Sequence, residues 1–173
     1  VALIMTWYGL LIGAVAVERL IELVLANRHR AWSRARGGVE FGARHYPALV
    51  ALHAALLAGC LAEAIGLHRP FIPAVGWPML TLVAAAQALR WWCISTLHEQ
   101  WNTRVIVIPG AARIDGGPYR LVPHPNYIAV IIEGFALPLV HGAWITALVF
   151  TVLNAWLLKA RIGVENNALA SLT

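Results

Sequence analysis

The residues with most chemical potential in this chain are ionisable side chains set inside apolar runs. Glu18, Arg19, Glu22, His53, Arg90 and Glu133, together with Asn154, each interrupt otherwise apolar sequence. A charge at membrane depth costs a few kcal/mol or more unless it is paired or hydrated. Two arrangements meet that demand. In one, ion pairs tie neighbouring helices, as Arg19 reaching Glu22 at i,i+3, with arginines snorkelling to the interface. In the other, the groups line one polar cavity. At 1.5 Å of rise per residue all seven fall within about 12 Å of the same boundary, which favours the cavity. Glu63 lies toward the opposite end and fits neither arrangement, and Gln87 fits poorly. Cys60 and Cys93 sit in apolar runs and read as packing residues, and no disulfide framework or metal-ligand spacing exists.

The densest motif is the stretch Gly-Pro-Tyr-Arg-Leu-Val-Pro-His-Pro-Asn-Tyr at 117–127. Proline cannot continue a helix, and it pushes the preceding residue to extended backbone. Three prolines within eight residues therefore make a stiff, non-helical entry to the next apolar run, with free carbonyl and N–H groups. Such backbone is tolerated at membrane depth where it lines a cavity or is buried in protein. A plain connecting loop is the simpler reading.

The elements that must position these groups follow from composition. The 173 residues suit one domain, 1–173, with a three-helix amino-terminal part (1–96) and a motif-bearing part (97–173). Hydrophobic residues make up 60% and charged residues 12%, and the mean hydropathy is +0.70. A soluble domain is about half apolar and a quarter charged, so lipid is the expected solvent and disorder is excluded. Five apolar runs, at 2–25, 47–67, 76–96, 127–140 and 143–160, predict an all-α integral membrane protein of about five transmembrane helices. The fourth run is short and contains Pro138, so a tilted, kinked or partly re-entrant helix is expected there. His141-Gly142 should make the last two runs a tight helical hairpin. Between the third and fourth, the run Arg-Val-Ile-Val-Ile at 104–108 followed by Pro109-Gly110 predicts a short extended or hairpin segment.

The net charge of +5 and pI of about 9.9 come from arginines between the apolar runs. Arg28, Arg30, Arg34, Arg36 and Arg44 follow the first run, Arg104, Arg113 and Arg120 the third, and Lys159 and Arg161 the fifth, whereas the two opposite loops hold only Arg69. The positive-inside rule then places the amino terminus outside and the carboxyl terminus in the cytoplasm. Trp7, Tyr8, Trp77 and Trp144 fall near the expected outer ends, where aromatic belts form. The basic balance needs no nucleic acid, because no basic stripe is interleaved with exposed aromatics. The first run lacks a basic leader and carries charges at its far end, so it reads as a span and not as a cleavable signal.

Gly117 to Arg120, His124-Pro125, Tyr127, then Arg161-Ile162 and Glu165 resemble the signature of the isoprenylcysteine carboxyl methyltransferase family. That signature reads G-P-Y-R-x-x-R-H-P-x-Y, an apolar hairpin, then R-I-x-x-E-E. Residues 97–101, ending in Trp101, also look like a family segment, so the resemblance covers roughly 97–169. Two departures stand out: Pro123 replaces the arginine before the histidine, and Asn166 replaces the second acid. The first removes a cation near the reacting carboxylate and argues against a prenylcysteine substrate. Upstream, Glu18-Arg19, Gly37-Gly38-Val39-Glu40 and His45-Tyr46-Pro47 look like a bacterial branch that methylates the oxygen of long-chain alkylpyrones or alkylresorcinols.

The resemblance implies a methyltransferase in a bacterial inner membrane that uses S-adenosylmethionine, a lipophilic small-molecule acceptor, surrounding membrane lipid and no metal. A site at the inner interface would receive the cofactor from the cytosol and the acceptor from lipid. Glu165 and Asn166 would take the cofactor ammonium. His124, Arg120 or Arg161 would take its carboxylate. Tyr119, Tyr127, Pro125 and the extended backbone at Leu121 and Val122 would hold the adenine. Glu133, His53 and His45 are candidates for a base or orienter, and Arg90 or Arg104 for holding an acceptor oxyanion. Each of these also has a purely structural reading. Trp91, Trp92 and Trp101 would wall the alkyl chain or anchor the interface. Acceptor and product differ by about one methylene, so little selectivity between them is expected. Two alternatives remain at this level: a sterol-reductase-like enzyme using NADPH, which shares an H-P-x-Y pattern, and a non-enzymatic lipid-binding or transport protein.

Overall fold

A computed structural model describes residues 2–112 and 114–172 of the chain, and Arg113, counted above among the loop arginines, lies outside them. The chain runs as α1 (Ala2–Arg34), β1 (Val39–Phe41), α2 (Tyr46–Gly66), α3 (Pro73–Leu97), β2 (Val105–Val107), α4 (Pro125–Leu139) and α5 (Trp144–Leu172). Proline opens α2, α3 and α4 within their first two residues, where its missing N–H costs nothing and its fixed φ starts a helix.

Among the described residues, three helices are long and apolar enough to cross a membrane, within Ala43–Gly66, Pro73–Gln100 and Trp144–Ala170. The remaining two runs differ from the expectation of five. Helix α1 has 33 residues but carries Glu18, Arg19 and Glu22 in its middle. Helix α4 has 15 residues, about 22 Å, which is shorter than the roughly 30 Å hydrocarbon core. Pro138 sits inside α4 near its end, and the chain reverses through His141 and Gly142.

The core lies where α1, α2, α4 and α5 converge, on Tyr8, Leu56, Cys60, Leu137 and Phe150. The Tyr8 hydroxyl donates to the Leu137 carbonyl at 3.1 Å, tying α1 to the last turn of α4. Gly134 lets α4 meet α5: a Cβ there would lie 1.9 Å from a ring carbon of Phe150. Helix α3 packs most extensively on α4.

The extended segment at 105–107 is present, but it is not a local hairpin. β2 pairs antiparallel with β1 from the first loop, with Val39 opposite Val107 and Phe41 opposite Val105. Glu40 on β1 draws Arg104 (2.6 Å), Arg30 (2.9 Å) and Arg34 (3.2 Å). Three of the expected boundary arginines thus gather around one carboxylate, which offsets one of their three charges. Burial raises the Glu40 pKa, but the Arg104 and Arg30 hydrogen bonds and charges outweigh it and hold the carboxyl below its usual range.

Of the seven polar groups expected to share a cavity, Arg19, Glu22, His53 and Arg90 line one, whose wall is otherwise mostly apolar, whereas Glu18, Glu133 and Asn154 do not. Arg19 contacts Glu22 at 2.7 Å and Glu133 at 3.4 Å, while Arg90 contacts Glu22 at 3.5 Å and hydrogen bonds Glu133. Gln87 bridges Arg19 and Glu18. This network clamps α1, α3 and α4. Asn154 is buried elsewhere, against α4. Glu63 accepts from the backbone N–H of Ile145 (3.2 Å) and Thr146 (2.7 Å) and pairs with Arg69 at 2.9 Å. It caps the first turn of α5, where unpaired N–H groups and the helix dipole favour an anion.

Candidate functional site

The motif at 117–127 folds as the expected non-helical entry to α4. A 3-10 turn, Gly117–Arg120, holds buried Pro118 and brings Tyr119 against α3. Gly117 has φ +52, and a Cβ there would meet the Thr96 hydroxyl at 2.4 Å, so only glycine lets the turn dock so closely. The Tyr119 hydroxyl has its pKa raised, first by burial and then by the neighbouring Cys93 thiol.

Helix α5 continues past the expected boundary at 160, through Leu172, so Arg161 and Glu165 stand one turn apart on one face of a helix. That face meets the start of α4. The Tyr127 hydroxyl donates to Glu165 Oε2 and accepts from Arg161 Nε at 2.9 Å. Arg161 Nη2 also donates to the Thr103 carbonyl at 2.5 Å. The His124 ring stacks on Tyr127 at 5.4 Å between centroids. Its Nε2 lies 3.2 Å from Asn166 Oδ1 and its Nδ1 3.8 Å from Glu165. His124 and Tyr127 of the motif form one connected cluster with Arg161, Glu165 and Asn166, 34 or more positions away in the chain.

The cluster walls a polar recess at the β1–β2 end of the bundle. Adjoining cavities of about 390 Å³ and 120 Å³ share Gln100, Tyr119, His124 and Glu165 on their walls. On the other side of the same wall lies an apolar cavity of about 370 Å³, bounded by Leu20 and Leu23 of α1 and by Leu49, Val50, His53 and Leu57 of α2. The apolar cavity and the smaller polar one have Trp101, Asn126, Tyr127 and Arg161 in common.

The other residues singled out from sequence are placed as follows. Arg120 is exposed and Leu121 is 76% exposed, so neither lines a cavity, and Val122 is half-buried. Pro125 is buried in the first turn of α4. His53 and Arg90 line the apolar cavity; the His53 Nδ1 is 2.8 Å from the Leu49 carbonyl. Glu133 is held within the ion network and lines neither cavity type. Arg104 faces the polar recess but is engaged by Glu40 and lies over the Tyr46 ring at 3.8 Å. His45 is exposed in a 3-10 turn outside both cavities.

One residue of the shared wall, Asn126 at the variable position of the motif, escaped the sequence reading as a site group, whereas Trp101, read as a wall for the alkyl chain or an interface anchor, lines the apolar cavity. The signal for Asn126 is positional, since it lies in the first turn of α4 next to Tyr127, which lines the same two cavities.

Residues 79–171 match the Isoprenylcysteine carboxyl methyltransferase (ICMT) family. The uncharacterized protein YpbQ of Bacillus subtilis (strain 168) is 33% identical over 94% of this chain and 96% of its own length. An uncharacterized protein of Haemophilus influenzae (strain ATCC 51907 / DSM 11121 / KW20 / Rd) is 26% identical over 97% of this chain and 98% of its own. No solved structure matches the chain. The matched residues run from within α3 to the end of α5 and contain the whole Tyr127, Arg161 and Glu165 cluster, and the chain belongs to the isoprenylcysteine carboxyl methyltransferase family of membrane methyltransferases.

Proposed function

We propose that this protein transfers a methyl group from S-adenosylmethionine to an oxygen of a long-chain, lipophilic acceptor such as an alkylpyrone or alkylresorcinol. The observation that carries the reading is the wall shared by a polar recess and an apolar cavity. A charged, water-soluble donor and an oily acceptor need opposite solvents and a common meeting point.

The recess fits the cofactor chemically. Glu165 offers a carboxylate to an ammonium, His124 and Arg161 offer cationic or donor groups to a carboxylate, and Tyr119 offers an aromatic face to a base. A volume of about 390 Å³ with its adjoining 120 Å³ lies in the range of small-molecule sites. When bound, the cofactor supplies an electrophilic methyl carbon: an O–C bond forms, the C–S electron pair stays on sulfur, and the hydroxyl proton leaves to water. Tyr127 holds Glu165 and Arg161 in register, and Arg161 is fixed in turn by the Thr103 carbonyl. The apolar cavity between α1 and α2 takes the alkyl chain and leaves the reacting oxygen at the wall it shares with the recess, from which the proton reaches solvent. His53 and Arg90 on its wall would orient the acceptor head, with Glu133 setting Arg90.

This reading extends to topology. All five helices would lie in the bilayer, α1 and α4 shielded by the candidate spans, with the amino terminus outside and the recess facing the cytoplasm. The chain would act as a single domain in a bacterial inner membrane. Purified protein incubated with labelled S-adenosylmethionine and a long-chain alkylpyrone or alkylresorcinol should give a labelled ether. Absence of labelled lipid together with absence of cofactor binding refutes the proposal.

A further inference from the structure

At the wall between the two cavities, two residues are already committed and two are not. Tyr127 and Arg161 are engaged with each other, with Glu165 and with Thr103. Trp101 Nε1 and Asn126 Oδ1 are buried and have no hydrogen-bond partner among the described residues. Trp101 as a whole is only 1% exposed. A buried polar atom without a partner costs about 1–3 kcal/mol, so such atoms are normally satisfied. Here the two are of opposite kinds, an N–H donor and a carbonyl acceptor, and both residues face the polar recess and the apolar cavity.

Their positions are held. The Trp101 carbonyl lies 2.8 Å from His29 Nδ1, and the His29 ring meets the indole edge-to-face at 6.3 Å. Asn102, the next residue, donates to the Ala26 carbonyl at 3.0 Å, so the strand leading from the indole is pinned to α1. Asn126 is fixed between a buried proline and a tyrosine bonded through its hydroxyl to α5.

We infer that Trp101 and Asn126 together seat one neutral hydroxyl group of the acceptor, the indole N–H donating to its oxygen while its O–H donates to the Asn126 carbonyl. The inference rests on the methyl-transfer reading and narrows its substrate class. A donor–acceptor pair matches a protonated hydroxyl at the end of an alkyl chain. A carboxylate matches it poorly, because one of its oxygens would face the Asn126 oxygen with no proton between them. The pair also separates substrate from product. A methyl ether keeps an oxygen for Trp101 but has no proton for Asn126, so discrimination exceeds what one added methylene alone would produce.

The test uses the purified full chain in detergent micelles, a phenol bearing a long alkyl chain, and the methyl ether of that phenol. Binding of each is measured calorimetrically without cofactor, and S-adenosylmethionine affinity and melting temperature are measured separately. The wild-type protein should bind the phenol about tenfold more tightly than the ether. Asn126→Ala should abolish that preference. Trp101→Phe should weaken both ligands roughly fivefold and keep the preference. Asn126→Ala should keep the wild-type melting temperature, because its amide oxygen has no partner among the described residues to lose, whereas Trp101→Phe removes part of a buried indole and should lower it. Asn126→Ala decides the matter alone if Trp101→Phe fails to fold. An Asn126→Ala protein that retains the preference, or loses phenol and ether binding equally, overturns the inference. A wild-type protein that methylates an alkylated phenol yet shows no phenol preference overturns it while the methyl-transfer reading stands. A wild-type protein that neither binds the cofactor nor methylates overturns both.

Discussion

Two polar clusters cross the helix interfaces of this protein, and they differ in what surrounds them. The network of Glu18, Arg19, Glu22, Arg90 and Glu133 clamps α1, α3 and α4, with Glu22, Arg90 and Glu133 each only 3% exposed. Every charge in it has an opposite charge within 4 Å. The cluster of His124, Tyr127, Arg161 and Glu165 joins α4 to α5, and its charges are balanced less closely. The Glu165 side chain is 30% exposed and borders an open recess. The contrast separates two uses of buried charge. A network whose charges are all paired directly resists change even where Arg19, Glu22 and Arg90 border the apolar cavity, whereas a cluster open to the polar recess keeps binding capacity for a ligand with charges of its own.

The largest effect should come from opening the closed network. Arg90→Leu leaves Glu22 and Glu133 short of a cation and should destabilise the fold by about 3–5 kcal/mol, read as a fall in melting temperature in micelles. If stability instead stays level, the network is not the clamp described. Glu165→Ala should do the reverse. It should lower S-adenosylmethionine affinity by about 1.5–3 kcal/mol, roughly ten- to a hundredfold by titration, and lower the melting temperature much less than Arg90→Leu does. Equal loss of stability and affinity in both variants would erase the distinction between the clusters.

Tyr127→Phe sharpens the comparison at an intermediate scale. It removes the hydroxyl shared by Arg161 and Glu165, and should cost about 1–2 kcal/mol of stability while weakening the cofactor less than Glu165→Ala does. The smallest effect concerns Glu40, a third charge cluster at the surface of the bundle. Its carboxyl is held below the usual range in the folded protein, so its contribution is present above the unfolded carboxylate pKa of about 4.3. It is lost as pH falls through the lower folded value. Glu40→Gln should therefore lower stability at neutral pH and flatten part of the acid limb of the melting curve. An unchanged acid limb would remove Glu40 from the account.

Much of this was legible in the chain because it depends on neighbours in sequence. Apolar runs of sufficient length make helices wherever the backbone must satisfy itself, and proline marks where they begin. The order of Gly117, Tyr119, His124, Tyr127, Arg161 and Glu165 identified the family before any geometry. The expectation of one polar cavity held only for Arg19, Glu22, His53 and Arg90, because equal depth says nothing of the direction a side chain takes around its helix axis. Asn154 borders a separate cavity that it shares with Ile131 of α4, and Glu133 is held inside the ion network.

What the sequence by itself determined is the helical, lipid-facing character of the chain and the identity of its motif, since composition and local spacing are enough for both. The tertiary structure decided the partners. It paired β2 with β1 across more than sixty residues, placed Glu63 on the first turn of α5, extended α5 so that Glu165 reaches Tyr127, and put Trp101 and Asn126 on the walls of the same two cavities. Each of those contacts depends on the rotation and register of packed helices. No local pattern encodes these, because they minimise the energy of the whole bundle and not of any one segment.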